Sequence, residues 1–138
     1  MKKIFAIAAL ACLSMGAGHA AERFEPGSWL STSIVGGRKT GTNGPRCVTA
    51  QEARSMNGTA DTIRVALESD PAWKGCKIRD VKAEGTGVAF TAACAGEVVT
   101  TSQTTYAGSS YEGTIRVAVA GSPILAMTIK GERVGSCP

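Results

Sequence analysis

From residue 77 onward, apolar and polar side chains alternate with a period of two, the pattern of strands with one covered and one wet face. Lys77 to Ala83, Gly87 to Ala95, Glu97 to Ala107, Tyr111 to Ala120 and Ile124 to Val134 read as five strands separated by glycine-containing breaks. In the fourth, Tyr111, Gly113, Ile115, Val117 and Val119 share one face, with Glu112, Thr114 and Arg116 opposite. In the fifth, Leu125, Met127 and Ile129 oppose Thr128 and Lys130. A polar face on each strand suits an antiparallel sheet, because parallel sheets are covered on both sides. Connections such as Glu84-Gly85-Thr86-Gly87 and Gly108-Ser109-Ser110 have hairpin length.

The first half of the chain is patterned differently. Pro26-Gly27 opens a strand over Ser28 to Val35, and the turn-forming run from Gly36 to Arg46 reads as a flexible loop. Thr49-Ala50-Gln51-Glu52 has the spacing of a capping box, so a short helix is expected to start there and to end by Asn57-Gly58. Ala60 to Glu68 reads as a second helical piece with Ile63, Ala66 and Leu67 on one face, stopped by Asp70-Pro71. The expected fold is mainly β: a curved antiparallel meander of about six strands, able to close toward a small barrel, with the helical segment inserted after the first strand.

The N-terminus adds an export signal to this picture. Met1-Lys2-Lys3 is a positive start, Ile4 to Met15 is apolar, and small residues follow, with Gly18 and Ala20 at the two positions that a signal peptidase reads. Residues 1–20 are therefore expected to be a signal peptide, leaving one domain over 21–138 that starts at Ala21. The apolar run is too short for a membrane helix, and no later stretch is long enough. Ala9-Leu10-Ala11-Cys12 is a poor lipobox, so lipid anchoring at Cys12 is the less favoured alternative to a periplasmic domain.

Removal of that segment changes the chemistry. Losing Lys2 and Lys3 lowers the basic residues from 15 to 13 against 11 acidic ones, so the net charge falls from +4 to +2. That is too small for a nucleic-acid footprint. The one histidine, His19, leaves as well, which closes Ser-His and Cys-His catalysis and removes the commonest metal ligand.

Five cysteines become four: Cys47, Cys76, Cys94 and Cys137. An even number in an oxidising compartment predicts two disulfides, and no C-x-x-C pair suggests a zinc or redox centre. Four cysteines allow three connectivities, and spacing does not choose among them. On the rule that loosely tied segments need anchoring, the pairing expected is Cys47 with Cys76 and Cys94 with Cys137.

Pro26-Gly27-Ser28-Trp29, Cys47-Val48-Thr49-Ala50-Gln51-Glu52-Ala53, Cys76-Lys77-Ile78, Cys94-Ala95-Gly96 and Arg133-Val134-Gly135-Ser136-Cys137 together carry a resemblance. In these residues and their order the chain resembles the exported bacterial proteins of domain-of-unknown-function family 3617, over nearly all of its mature length. Where the family motif often has Thr-Pro-Glu, this chain keeps the capping residues of Thr49 to Glu52 without the proline. The resemblance implies a periplasmic, disulfide-bridged, mostly β domain and no known activity.

Residues that could carry chemistry have simpler readings beside them. Asp80 and Glu84 could act as an acid and base pair only inside a cleft, and solvated strand-end charges are the commoner case. Lys74 could join a hydroxyl in a Ser-Lys dyad, without any signature sequence to support it. Arg38, Lys39 and Arg46 could hold an anion on the loop, or simply solvate it. Trp29, Trp73, Phe90, Tyr106 and Tyr111 could line a ligand cavity, or fill the core. No catalytic, cofactor or metal residue is assigned. The expectation is a non-catalytic binding or structural module holding a small apolar ligand, with an inhibitor or partner of a cell-envelope enzyme as the alternative.

Overall fold

A computed structural model describes residues 22–138; the expected signal peptide and Cys12 lie outside the described residues. Strands β1 (Gly27–Val35) and β2 (Arg38–Val48) form a hairpin, followed by helices α1 (Ala50–Met56) and α2 (Ala60–Ser69) and a 3-10 turn at Pro71–Trp73. Then come β3 (Lys77–Glu84), β4 (Gly87–Cys94), β5 (Val98–Tyr106), β6 (Ser110–Val119) and β7 (Ser122–Gly135). All seven strands pair antiparallel in one sheet of order β2-β1-β7-β6-β5-β4-β3. The sheet stays open, with β2 and β3 as its two edges.

Local chemistry starts and stops the helices as expected. The Thr49 hydroxyl accepts from the Glu52 N–H at 3.2 Å and the Glu52 carboxylate accepts from the Thr49 N–H at 2.7 Å, closing the capping box. Thr59 caps α2, and Asp70 accepts from the Ala72 N–H at 2.9 Å to start the 3-10 turn around Pro71.

The expected loop over 36–46 is corrected by the structure. Only Gly36 and Gly37 turn, at φ 57° and 77°, and the chain then runs back along β1 as β2. Two positive φ values in succession are what a tight two-residue hairpin needs. From Arg38 to Cys47 every residue of β2 is exposed. An edge strand wet on both faces has no apolar alternation, and so no period by which to recognise it. With β2 counted, the strands number seven and the helical insertion follows the hairpin.

The strand register assigns the faces. Val88, Thr104, Gly113 and Ile129 lie side by side on β4 to β7, as do Phe90, Ser102, Ile115 and Met127, and Ala92, Thr100, Val117 and Leu125. This is the helix side, where Ile63 and Leu67 of α2 are buried against Ile78, Val88 and Ala92. Burying a side chain such as Ile63 contributes roughly 1.5–3 kcal/mol. A second cluster gathers Trp29, Val48 and Ala53 of α1, with Phe24 and Tyr111 against it. The opposite face carries exposed Thr101, Gln103, Thr105, Glu112, Arg116 and Lys130. Between the clusters and the β6–β7 turn, Ile115, Val117, Val119, Leu125, Met127 and Ile129 are only half-buried and join neither cluster.

The disulfides also depart from expectation. Cys76 is bonded to Cys94 and Cys47 to Cys137, in place of Cys47–Cys76 and Cys94–Cys137. The reason is register. Lys77 stands opposite Ala93, so the next residue outward on each strand, Cys76 and Cys94, meet across the β3–β4 hairpin. At the other end, Ser28 of β1 is paired with Cys47 on one side and Gly135 on the other. The tail after β7 needs only to cross the start of β1 to reach Cys47.

Candidate binding cleft

The two buried clusters touch through Tyr106, and a cleft opens where α1 and the C-terminal end of α2 meet beside β2. Its volume is about 430 Å³, within the range of small-ligand sites. Phe24, Val48, Met56, Ala66, Leu67 and Pro71 supply its apolar lining. Arg46, Glu52 and Asp70 are the charged residues around it.

Its floor is set by a short N-terminal strap. The Asn57 side chain just past α1 donates to the Phe24 carbonyl and accepts from the Phe24 N–H, both at 2.9 Å. The Arg23 guanidinium donates to the carbonyls of Gly85 at 2.6 Å and Gly58 at 3.0 Å, and Phe24 forms a parallel bridge with Gly108. These bonds fix the strap to α1 and to two hairpin turns, and so place the Phe24 ring against three others. Its centroid lies 4.5 Å from Trp29, 5.4 Å from Tyr106 and 6.2 Å from Tyr111. Trp29 and Tyr111 are stacked at 5.7 Å, and the Trp29 indole N–H donates to the Glu25 carbonyl at 3.0 Å. Tilted and edge-on contacts of this kind hold an aromatic group beyond its area burial.

The electrostatics follow from position. Burial pushes the Tyr106 phenol up to about 12, the neighbouring Tyr111 adds to the shift, and Arg23 opposes it. Tyr111 is raised by burial, against a hydrogen bond from Ser31 and the charge of Arg46. The Glu52 carboxyl is lowered, chiefly by the Thr49 backbone N–H, with burial opposing and Arg46 assisting. The guanidinium of Arg46 donates to Glu52 Oε1 at 2.6 Å.

Of the residues singled out in the sequence, the structure brings together only some. Trp29, Tyr106 and Tyr111 meet around Phe24, whereas Trp73 and Phe90 pack edge to face at 5.3 Å over β4 as part of the other cluster. Arg38 and Lys39 sit at the hairpin tip, while Arg46 is at the far end of β2 beside α1, so the three form no single anion site. Asp80 lies in a β3 bulge at φ 54° and contacts Arg79 at 3.8 Å, both exposed; Glu84 ends the strand. Lys74 is exposed on the turn after Trp73. The sequence does not mark Phe24, Val48, Met56 and Leu67 as a group, because their convergence depends on the β1–β2 hairpin and the strap. A period of 3.6 across α2 marks Leu67, but nothing local marks Phe24.

No group of histidine, cysteine, aspartate and glutamate among the described residues is arranged to hold a metal ion. No helix among them is long and apolar enough to cross a membrane.

An open seven-stranded antiparallel sheet, stapled at two points and carrying a helical pair on one face, defines a small bridged β domain. The chain belongs to the family described as protein of unknown function (DUF3617), which matches residues 24–137. No curated protein and no solved structure matches it.

Proposed function

We propose that the chain is an exported, non-catalytic binding module that holds a small apolar ligand in the cleft between α1 and α2. The observation that supports this reading is a cleft of about 430 Å³ lined by Phe24, Val48, Met56, Ala66, Leu67 and Pro71. Phe24, Met56 and Ala66 of its lining are only half-buried, and apolar surface of that kind gains free energy when a ligand covers it. Chemical inventory supports the rest. Residues 22–138 contain no histidine, and the four cysteines are consumed in disulfides, so the usual nucleophile and base pairs are missing.

The test is native mass spectrometry of the protein purified from its own cell envelope. Wild type should carry a small adduct, and Ala66→Trp, which places an indole in the cleft from a half-buried helix position, should lose it. A wild-type mass without adduct would overturn the reading. A second reading, a partner of an envelope enzyme, draws on β2, an ordered edge strand exposed from Arg38 to Cys47. The same spectrum would then show a protein mass.

A further inference from the structure

We infer that the ligand of this cleft is a single-chain amphiphile with a carboxylate head, seated on Arg46 with its chain over Phe24, Met56 and Leu67; this rests on the apolar-ligand reading above. Two of the cleft's three charged groups are carboxylates whose oxygens already serve the backbone: Glu52 accepts from the Thr49 N–H at 2.7 Å and Asp70 from the Ala72 N–H at 2.9 Å. Pulling either away would uncap a helical segment. The third is Arg46, which uses one N–H of its guanidinium, on Glu52 Oε1 at 2.6 Å. A guanidinium has five N–H donors in a fixed fork. Its remaining edge is the strongest unspent hydrogen-bonding capacity on the rim, and a carboxylate matches it in charge and geometry.

Glu52 does not bar a second carboxylate. Elsewhere in the same molecule Arg64 bridges two of them, donating to Asp61 at 2.7 Å and to Glu68 at 2.8 Å from opposite ends of its fork. A ligand carboxylate on Arg46 repeats that arrangement, with Glu52 in the place of one partner. The position of Arg46 is also fixed relative to the floor. It stands opposite Trp29 in the β1–β2 register, and the Trp29 ring contacts Phe24. A head group on Arg46 therefore starts its chain at the aromatic end of the cleft, from which Met56 and Leu67 carry the apolar surface onward.

The test compares three ligands sharing one ten-carbon chain: decanoate, decanol and decyltrimethylammonium, titrated below their micellar concentrations into the purified mature protein and followed by calorimetry. Decanoate should bind at least about tenfold tighter than decanol, and the cation most weakly. Arg46→Gln should bring decanoate to the level of decanol without changing decanol, and Arg46→Lys should retain part of the difference. Arg46 is exposed and its loss leaves the Thr49–Glu52 capping box in place, so both variants should keep the wild-type circular dichroism. Equal affinity for decanoate and decanol, or preference for the cation, would overturn the acidic head while leaving the apolar reading standing. Failure of all three to bind would remove both.

Discussion

The ring of Tyr111 on β6 covers Gly131 on β7, in the space that a side chain at that position would fill. A Cβ built on Gly131 would overlap the ring atoms of Tyr111, and the two residues are direct register partners. The contact lets Tyr111 reach across β7 to stack on Trp29 of β1, which ties three strands into the second buried cluster. Gly131→Ala is expected to cost roughly 1–3 kcal/mol by overpacking. Tyr111→Ala in the same chain should remove that penalty, giving a coupling energy of opposite sign to the single effects. Denaturant titration of the four proteins in the cycle measures it.

The two disulfides should differ in what they contribute. Cys47–Cys137 closes 90 residues of sequence and Cys76–Cys94 only 18. In the chain-entropy description, a loop of ~15 residues is worth about 3 kcal/mol and one of ~100 about 4.7. The Cys47→Ser, Cys137→Ser pair should therefore destabilise by about 1.4 kcal/mol more than the Cys76→Ser, Cys94→Ser pair. Peptide mapping without reductant should recover the bridges Cys47–Cys137 and Cys76–Cys94. A Cys47–Cys76 peptide would contradict the register that places both pairs.

How much of this was legible in the sequence depends on what each segment buries. Strands β3 to β7 are readable by alternation, most clearly in β6, where Ile115, Val117 and Val119 oppose Thr114, Arg116 and Ala118. Strand β2 has no dry face until Val48, so its sequence reads as a loop. The Cys76–Cys94 bridge is nearly within reach, since continuing the expected hairpin outward from Glu84–Gly87 sets Cys76 opposite Ala95, next to Cys94. The bulge at Asp80 shifts that register by one residue, which is why counting from the turn alone would miss by one. The cleft was not legible. It depends on Phe24, which is pinned by Asn57 and Gly108, 33 and 84 residues further along the chain, and no local pattern encodes such a contact.

Turn chemistry offers a substitution that should stabilise. The β6–β7 hairpin turns through Ala120 and Gly121 at φ 48° and 79°. A left-handed conformation costs an alanine roughly 1 kcal/mol and a glycine nothing, and asparagine tolerates it at such turns. Ala120→Asn should raise the unfolding free energy by about 0.5–1 kcal/mol, read as a higher denaturant midpoint at unchanged slope. Ala120→Val, a β-branched residue at positive φ, should lower it.

Alkaline pH should destabilise this domain in a window set by Tyr106. Its phenol, buried beneath the Phe24 ring and beside Tyr111, is pushed up to about 12 from 10. The folded state therefore holds the proton more tightly than the unfolded chain does. The stability tied to the neutral phenol is complete below pH 10, where the unfolded tyrosine is still protonated, and is lost as pH rises from about 10 to about 12. Tyr111 is shifted in the same direction by burial and should add to the loss. Tyr106→Phe keeps the ring against Phe24 and removes the ionisable group, so the variant should lose less stability than wild type across that window. Denaturant midpoints at steps of pH measure the difference. Tyrosinate absorbance after rapid pH jumps separates the folded titration from the unfolded one. Both tyrosines ionising near pH 10 in the folded protein would contradict the buried aromatic cluster itself, and with it the floor of the cleft.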